Sequence, residues 1–150
     1  MAVTVKDASI KYLERLSEIE KECFSEEAFT KKQISLLLGD YNSIGLIAEE
    51  NGDIVGFIVG MIYPEGKVVN GHILTIDVSP SHRRKGIGQM LLKEVENVFV
   101  QKGVQACLLE VREGNVAAIS LYHKLGYKDI GRLENYYGKA HGIYLKKILS

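Results

Sequence analysis

Hydrophobic and polar positions change rhythm several times along the chain, and each change predicts an element. Val3 and Val5 alternate with polar neighbours, the mark of a short first strand. Over residues 10–24 the spacing turns helical, with Leu13, Leu16 and Ile19/Glu20 on one face; residues 29–38 predict a second helix closed by Gly39. Two apolar runs, 44–49 and 54–63, flank Asn51-Gly52-Asp53, a strong hairpin signal. Residues 68–78 form a further strand, ended by Pro80.

The rhythm then slows again. Ile87, Leu91, Val95 and Val98 mark one face of a long helix that stops near Gly103. Residues 106–111 are almost continuously apolar, as expected of a strand covered on both faces. A helix over 115–125 ends at Gly126, and 127–133 with 143–148 read as closing strands. The order β-α-α-β-β-β-α-β-α-β-β predicts an α/β fold, a mixed sheet flanked by about four helices. Within it the 72–78 strand, the 87–102 helix and the 106–111 strand make a crossover unit.

Composition narrows the function classes. With 150 residues, 46% apolar and 25% charged, the chain fits a single domain over 1–150 with a core of its own. Size scaling gives ~7,600 Å² of folded surface. Nineteen basic residues balance nineteen acidic ones, so a nucleic-acid partner is not expected. No apolar run is long enough to span a membrane, and the start lacks a secretory pattern. Cys23 and Cys107 lack ligand-pair spacing, as do His82, His123 and His141; the reading is two reduced core thiols of a cytoplasmic protein and no metal.

The richest segment is Asp77-Val-Ser-Pro-Ser-His-Arg-Arg-Lys-Gly-Ile-Gly88, which runs straight into the long helix. Gly86 and Gly88 allow close approach to the backbone, and the unpaired amides at a helix start favour an anion. Arg83, Arg84 and Lys85 add positive charge beside them. A phosphate or pyrophosphate suits this cradle. No Lys-Ser/Thr pair follows Gly88, so it is not a Walker loop, and it is one glycine short of a dinucleotide fingerprint. A basic turn that merely caps a helix is the plain alternative.

Arg83-x-x-Gly86-x-Gly88 after a strand resembles the acetyl-CoA signature of the GNAT N-acetyltransferase superfamily. Residues 108–138 are similar to the second half of N-terminal protein acetyltransferases, of both the bacterial RimI type and the archaeal Ard type, and Gly71-His72 matches the archaeal branch. The likeness covers roughly 45–149; the first forty residues match in layout alone, with Cys23-Phe24-Ser25 where the family's substrate-side loop lies. The resemblance implies a largely antiparallel sheet in which the 72–78 and 106–111 strands splay apart around acetyl-CoA. Backbone groups of Ile76 and Val78 would pair with the pantetheine arm. Amides from Arg84 through Lys85, Gly86 and Ile87 to Gly88 would hold the pyrophosphate, with Asn115 on the pantetheine side. Protein or peptide N-termini would be the substrate, a ribosome or auxiliary subunit a recruiting partner, and the chain a monomer or weak homodimer.

The chemistry sets out what each residue must supply. A peptide α-amine near pKa 7.7–8.0 is ~10% neutral at pH 7, against roughly 0.04% for a lysine, so a modest base suffices. Glu110 interrupts an apolar strand and is the candidate base; an acid at a strand end paired with Arg112 or a neighbour is the alternative. His72 near the start of the neighbouring strand is its candidate companion, or an ordinary surface histidine. Tyr122 occupies the family's position beside the sulfur. Protonating a thiolate near 8.5 from a phenol near 10 is uphill by ~2 kcal/mol, so a hydrogen bond to developing charge is the expected role. Asn135-Tyr136-Tyr137-Gly138 reads as a loop; Phe24, Phe29, Tyr136 and Tyr137 would line the substrate entrance or simply form a small local core. A small-amine or lysine acetyltransferase and a non-catalytic acyl-CoA-binding module are the competing readings.

Overall fold

The computed structural model describes residues 2–149. Strand β1 (Val3–Asp7) is followed by helices α1 (Leu13–Phe24) and α2 (Lys31–Gly39) and by strands β2 (Ser43–Glu50), β3 (Asp53–Glu65) and β4 (Val68–Val78). Helix α3 (Ile87–Gln101), strand β5 (Ala106–Arg112), helix α4 (Val116–Lys124) and strands β6 (Lys128–Tyr137) and β7 (Ala140–Ile148) complete the chain. These are the strands and helices the sequence predicts, in the predicted order. They form one sheet, β1-β2-β3-β4-β5-β7-β6, in which every pair is antiparallel except β4–β5.

The differences lie at the boundaries. A single 3-10 turn, Ile10–Tyr12, precedes α1, with Ile10 exposed. Helix α2 begins later than expected because Thr30 caps it: Thr30 Oγ1 accepts from Gln33 N at 3.1 Å and Gln33 Oε1 accepts from Thr30 N at 2.8 Å. Phe29 therefore lies ahead of the helix. Strand β6 continues through Asn135, Tyr136 and Tyr137, so the expected loop shrinks to a turn at Gly138 and Lys139. Its pairing slips between Leu133 and Tyr137, and this irregular stretch has no alternating pattern to betray a strand.

Two apolar layers sandwich the sheet. On one face Leu16, Ile19 and Ile34 of α1 and α2 meet Ile47, Phe57 and Val59. On the other, Leu91, Leu92, Val95 and Phe99 of α3 meet Val55, Ile58, Cys107 and Leu109, with Tyr122 and Tyr127 beside them. Gly60 and Gly71 are small for a reason: a Cβ on Gly60 would stand 2.7 Å from Phe99, and one on Gly71 would stand 2.5 Å from it. The ring of Phe99 occupies the space their side chains would fill. The exposed area, 8586 Å², exceeds the size-scaled expectation, in keeping with β6, an edge strand exposed along nearly all its length.

An irregularity in β4 sets which groups reach each face of the sheet. Val59 pairs with Thr75 and Gly60 with Ile73, so Leu74 is an extra residue in β4. Before it, Gly71 faces α3 and His72 the α1 side; after it, Thr75 and Asp77 face α1. The backbone is re-phased as well. Ser79 N bonds Val55 O at 2.8 Å, which puts Asp77 and Ser79 on the β3 side of the ladder and turns the polar groups of Ile76 and Val78 away from it.

Candidate active site

Strands β4 and β5 pair only from Asn70 to His72 against Ala106 to Leu108. Beyond His72 they diverge, and the backbone polar groups of Ile76 and Val78 face the resulting gap. Val78 O already accepts from Arg83 Nε at 3.2 Å and from Cys23 Sγ at 3.4 Å. Cys23 is therefore half-buried at the end of β4 and not a core thiol, whereas Cys107 is buried, its thiol pushed up to about 12 by desolvation.

At the gap's open end the chain turns through Pro80–His82 into α3. Arg84 (φ 65°) and Gly86 (φ 79°) both adopt left-handed backbone, which gathers successive amides around one concavity. Gly86 is the N-cap of α3, and no side chain caps the amides after it. A groove of about 300 Å³ lies over them, lined by Val78, His82, Arg83, Arg84, Gly86, Ile87, Gly88, Gln89 and Leu121. A Cβ on Gly88 would meet nothing closer than Val78 Cγ2 at 3.7 Å, so its bareness leaves the floor open without serving the protein's own packing. This cradle fits a diphosphate. The three cations differ, however: Arg83 Nη2 reaches back to Cys23 Sγ at 3.4 Å, and Lys85 Nζ stands 4.0 Å from buried Glu50.

On the α4 side of the gap, Asn115 caps the helix by accepting from Ala118 N at 3.2 Å, which leaves its amide NH2 available. Tyr122 is buried, and desolvation, reinforced by the ionisable Asp77 and Cys107 nearby, pushes its phenol up to about 12. It is a weaker acid than the sequence alone suggests.

Where the strands part, His72 and Glu110 come together. His72 Nε2 lies 2.6 Å from Glu110 Oε2, a close contact without the alignment of a good hydrogen bond. Glu110 falls on the α1 side because Leu109 and Val111 alternate into the opposite core. Arg112 is not the partner of Glu110, since it pairs with Glu27 of the α1–α2 connection. Tyrosines ring the pair: Tyr136 Oη donates to Glu110 Oε1 at 3.4 Å, and the rings of Tyr63 and Tyr144 lie 6.2 and 6.4 Å from that of His72. Tyr136 and Tyr137 pack edge to face at 4.9 Å, and Arg112 sits 5.2 Å over the Tyr137 ring. Arg112 thus joins the α1–α2 connection to the β6–β7 hairpin. Phe24 ends α1, half-buried, while Phe29 packs on the apolar layer beneath α1 and α2.

A family model for the acetyltransferase (GNAT) family matches residues 13–127. The chain belongs to the GNAT acetyltransferase family, whose cofactor is acetyl-CoA. It is 36% identical over 137 residues to an N-acetyltransferase of Methanocaldococcus jannaschii, covering 89% of this chain and 83% of that protein. It is 35% identical over 120 residues to an N-alpha-acetyltransferase of Sulfurisphaera tokodaii, covering 72% and 70%. Among solved structures, Ard1 from Thermoplasma volcanium superposes with a TM-score of 0.90 at 27% identity, over 99% of this chain and 98% of that one. The ribosomal-protein-S18-alanine N-acetyltransferase from Escherichia coli gives 0.89 at 23% identity, over 99% and 95%, a likeness of fold.

Several residues around this gap lie outside what the sequence predicts. Glu27, Arg112, Tyr63 and Tyr144 act through partners distant in the chain, and Gln89 and Leu121 add only groove wall. Glu20, Thr75 and Asp77 were findable. Asp77 interrupts the apolar run of β4 as Glu110 interrupts that of β5, and it is 1% exposed. Thr75 Oγ1 lies 2.9 Å from Glu20 Oε1 and 2.6 Å from Asp77 Oδ1, deep on the α1 side.

Proposed function

We propose that this acetyltransferase acts on the N-terminal α-amine of peptides or proteins, by direct transfer from acetyl-CoA. The observation that carries the reading is the His72–Glu110 pair, 2.6 Å apart at the point where β4 and β5 separate. A relative named as an N-alpha-acetyltransferase and the likeness to Ard1 support it.

The roles follow from position and chemistry. The amides from Arg84 to Gly88 hold the diphosphate; Ile76 and Val78 offer backbone groups along the gap, and Asn115 offers its amide NH2. For a donor to reach Val78 O, Arg83 or Cys23 must yield its place there. Acetyl-CoA, when bound, supplies an acetyl group already activated as a thioester. Glu110, with His72 beside it, attracts the incoming α-ammonium and accepts the proton that leaves it, directly or through one water. Only the neutral amine is a nucleophile, and an α-amine is near enough to neutrality that this pair needs no unusual basicity. Tyr122 donates a hydrogen bond toward the departing sulfur. With its phenol near 12 against a thiol near 8.5, full proton transfer is uphill by about 5 kcal/mol, so it stabilises charge and keeps its proton. Tyr136 and Tyr137 form one wall of the peptide entrance. Phe24 and Phe29 stand on the other, which Glu27 fastens to Arg112.

The test is CoA release from acetyl-CoA with a panel of short peptides differing in their first two residues, beside a polyamine and a peptide whose sole amine is an internal lysine. Turnover with free α-amines well above the other two is expected. Preference for the polyamine or the lysine overturns the substrate assignment, and saturable CoA binding without turnover leaves only a binding module.

A further inference from the structure

On the α1 side of β4 two carboxyls meet a single hydroxyl. Glu20 and Asp77 are each 1% exposed, and Thr75 Oγ1 stands between them, 2.9 Å from Glu20 Oε1 and 2.6 Å from Asp77 Oδ1. Thr75 has one hydroxyl hydrogen, and an ionised carboxylate has none. Were both carboxyls ionised, one of these two contacts would set oxygen against oxygen with no proton between them, out of reach of water. A further proton is needed. Glu20 Oε2 accepts from Phe29 N at 3.0 Å, so negative charge there has a donor of its own; Asp77 Oδ2 is buried without a hydrogen-bond partner among the described residues. The extra proton therefore belongs on Asp77.

We propose that Asp77 and Glu20 share one buried proton through Thr75, with Asp77 Oδ1–H donating to Thr75 Oγ1 and Thr75 Oγ1–H donating to Glu20 Oε1, and that this chain makes Asp77 a positioning residue of the site. Desolvation and the neighbouring Glu20 carboxyl push the Asp77 carboxyl far above its usual range, which agrees with the hydrogen count. The other groups that face Asp77 are Cys23 from α1, Tyr122 from α4 and Arg83 from the turn after β4. Arg83, the cation of this set, is held on Val78 O and Cys23 Sγ; its charge pulls the Asp77 carboxyl downward but is outweighed by desolvation and Glu20.

The chain of hydrogen bonds ties α1, through Glu20, to the half of β4 beyond the extra residue Leu74. Through Phe29 N it also fixes the start of the segment leading to α2. One end of the α1–α2 connection is thereby anchored to the strand whose Ile76 and Val78 edge lines the gap, while Glu27 anchors its middle to Arg112. The positioning role rests on the acetyl-transfer reading; the shared proton does not.

Infrared spectroscopy of the whole chain tests it. At pH 7 the wild-type protein is expected to show the carbonyl stretch of a protonated carboxyl, absent in Asp77→Asn and shifted in Thr75→Val. No such band, or an unchanged band in Asp77→Asn, overturns the proposal. Stability gives a second measure. The folded state holds a proton that the unfolded chain has lost, so the folding constant of wild type relative to Asp77→Asn falls about tenfold per pH unit through the neutral range. Parallel curves overturn it. Positioning is read from Thr75→Val, expected to raise the peptide KM at least about threefold with CoA affinity unchanged; an unchanged KM overturns that part. If no peptide is acetylated while the band and the pH slope are as expected, the acetyl-transfer reading fails and the shared proton stands.

Discussion

His72 and Glu110 stand on the two strands that part company, His72 in the last parallel pairing on β4 and Glu110 two residues past it on β5, and their side chains close to 2.6 Å. The side chain of Glu110 is 13% exposed and that of His72 23%, so the pair is sheltered yet reachable. Glu110→Gln is expected to lower kcat at least tenfold while leaving CoA affinity within about twofold, because the change lies at the amine and away from the diphosphate cradle. His72→Ala should act in the same direction. Steady-state kinetics beside calorimetric CoA titration read both effects, and wild-type kcat in Glu110→Gln removes it from the chemistry.

Tyr122→Phe deletes one hydroxyl and keeps the ring that packs in the α3–α4 core. A loss of about tenfold or more in kcat with an unchanged melting temperature is the expected result. The pH behaviour follows from the direction of the shift. Folding raises the phenol from 10.0 to about 12, so the stability tied to its proton is complete below the unfolded value and drains away as the pH climbs through the folded one. Tyr122 therefore contributes no alkaline limb to the rate at ordinary working pH. A kcat profile that breaks near 10 in wild type and not in Tyr122→Phe contradicts this.

The cradle makes a sharper pair of expectations. Gly88→Ala meets nothing in the protein nearer than 3.7 Å, so the fold should tolerate it, yet the methyl intrudes on the groove floor. CoA affinity is expected to drop at least tenfold with little change in thermal stability. Gly86→Ala differs. The left-handed backbone there (φ 79°) costs a side chain about 1–2 kcal/mol, so both affinity and melting temperature should fall. Equal CoA binding by wild type and Gly88→Ala places the nucleotide elsewhere.

Gly71→Ala probes packing alone. Its methyl would stand 2.5 Å from the Phe99 ring, between β4 and α3. A loss of about 1–3 kcal/mol is expected, which for a chain of this size lowers the melting temperature by several degrees. A Phe99→Leu partner mutation should recover part of it by clearing the space. No destabilisation in the single variant contradicts the packing role.

How far the sequence reached can be judged from particular residues. The long helix after Gly86 and the hairpin at Asn51-Gly52 announced themselves through local periodicity and turn chemistry, so they were readable. Glu110 was readable because a carboxyl inside an apolar strand demands an explanation. Its partnership with His72, and that of Arg112 with Glu27, depends on strand pairing across long stretches of chain, which one sequence does not encode locally. Tyr136 and Tyr137 carry no strand signal, since β6 is an almost wholly exposed edge strand without alternation. Asp77, at the head of the glycine-rich segment, is legible in the same way, as a carboxyl inside the apolar end of β4.

Leu74 has an effect out of proportion to its chemistry. As one supernumerary residue it splits β4 into two stretches of opposite phase: the first turns Gly71 and Ile73 to the α3 core and His72 to the α1 side, the second presents carboxyl and hydroxyl to the α1 side and naked main chain to the cleft. Deleting it would make the ladder regular and leave Thr75 opposite Val59, whereas pairing β4 without the bulge would turn Thr75 and Asp77 toward the aromatic packing of α3. The bulge, more than the residue count, decides which face of the sheet receives that carboxyl and hydroxyl.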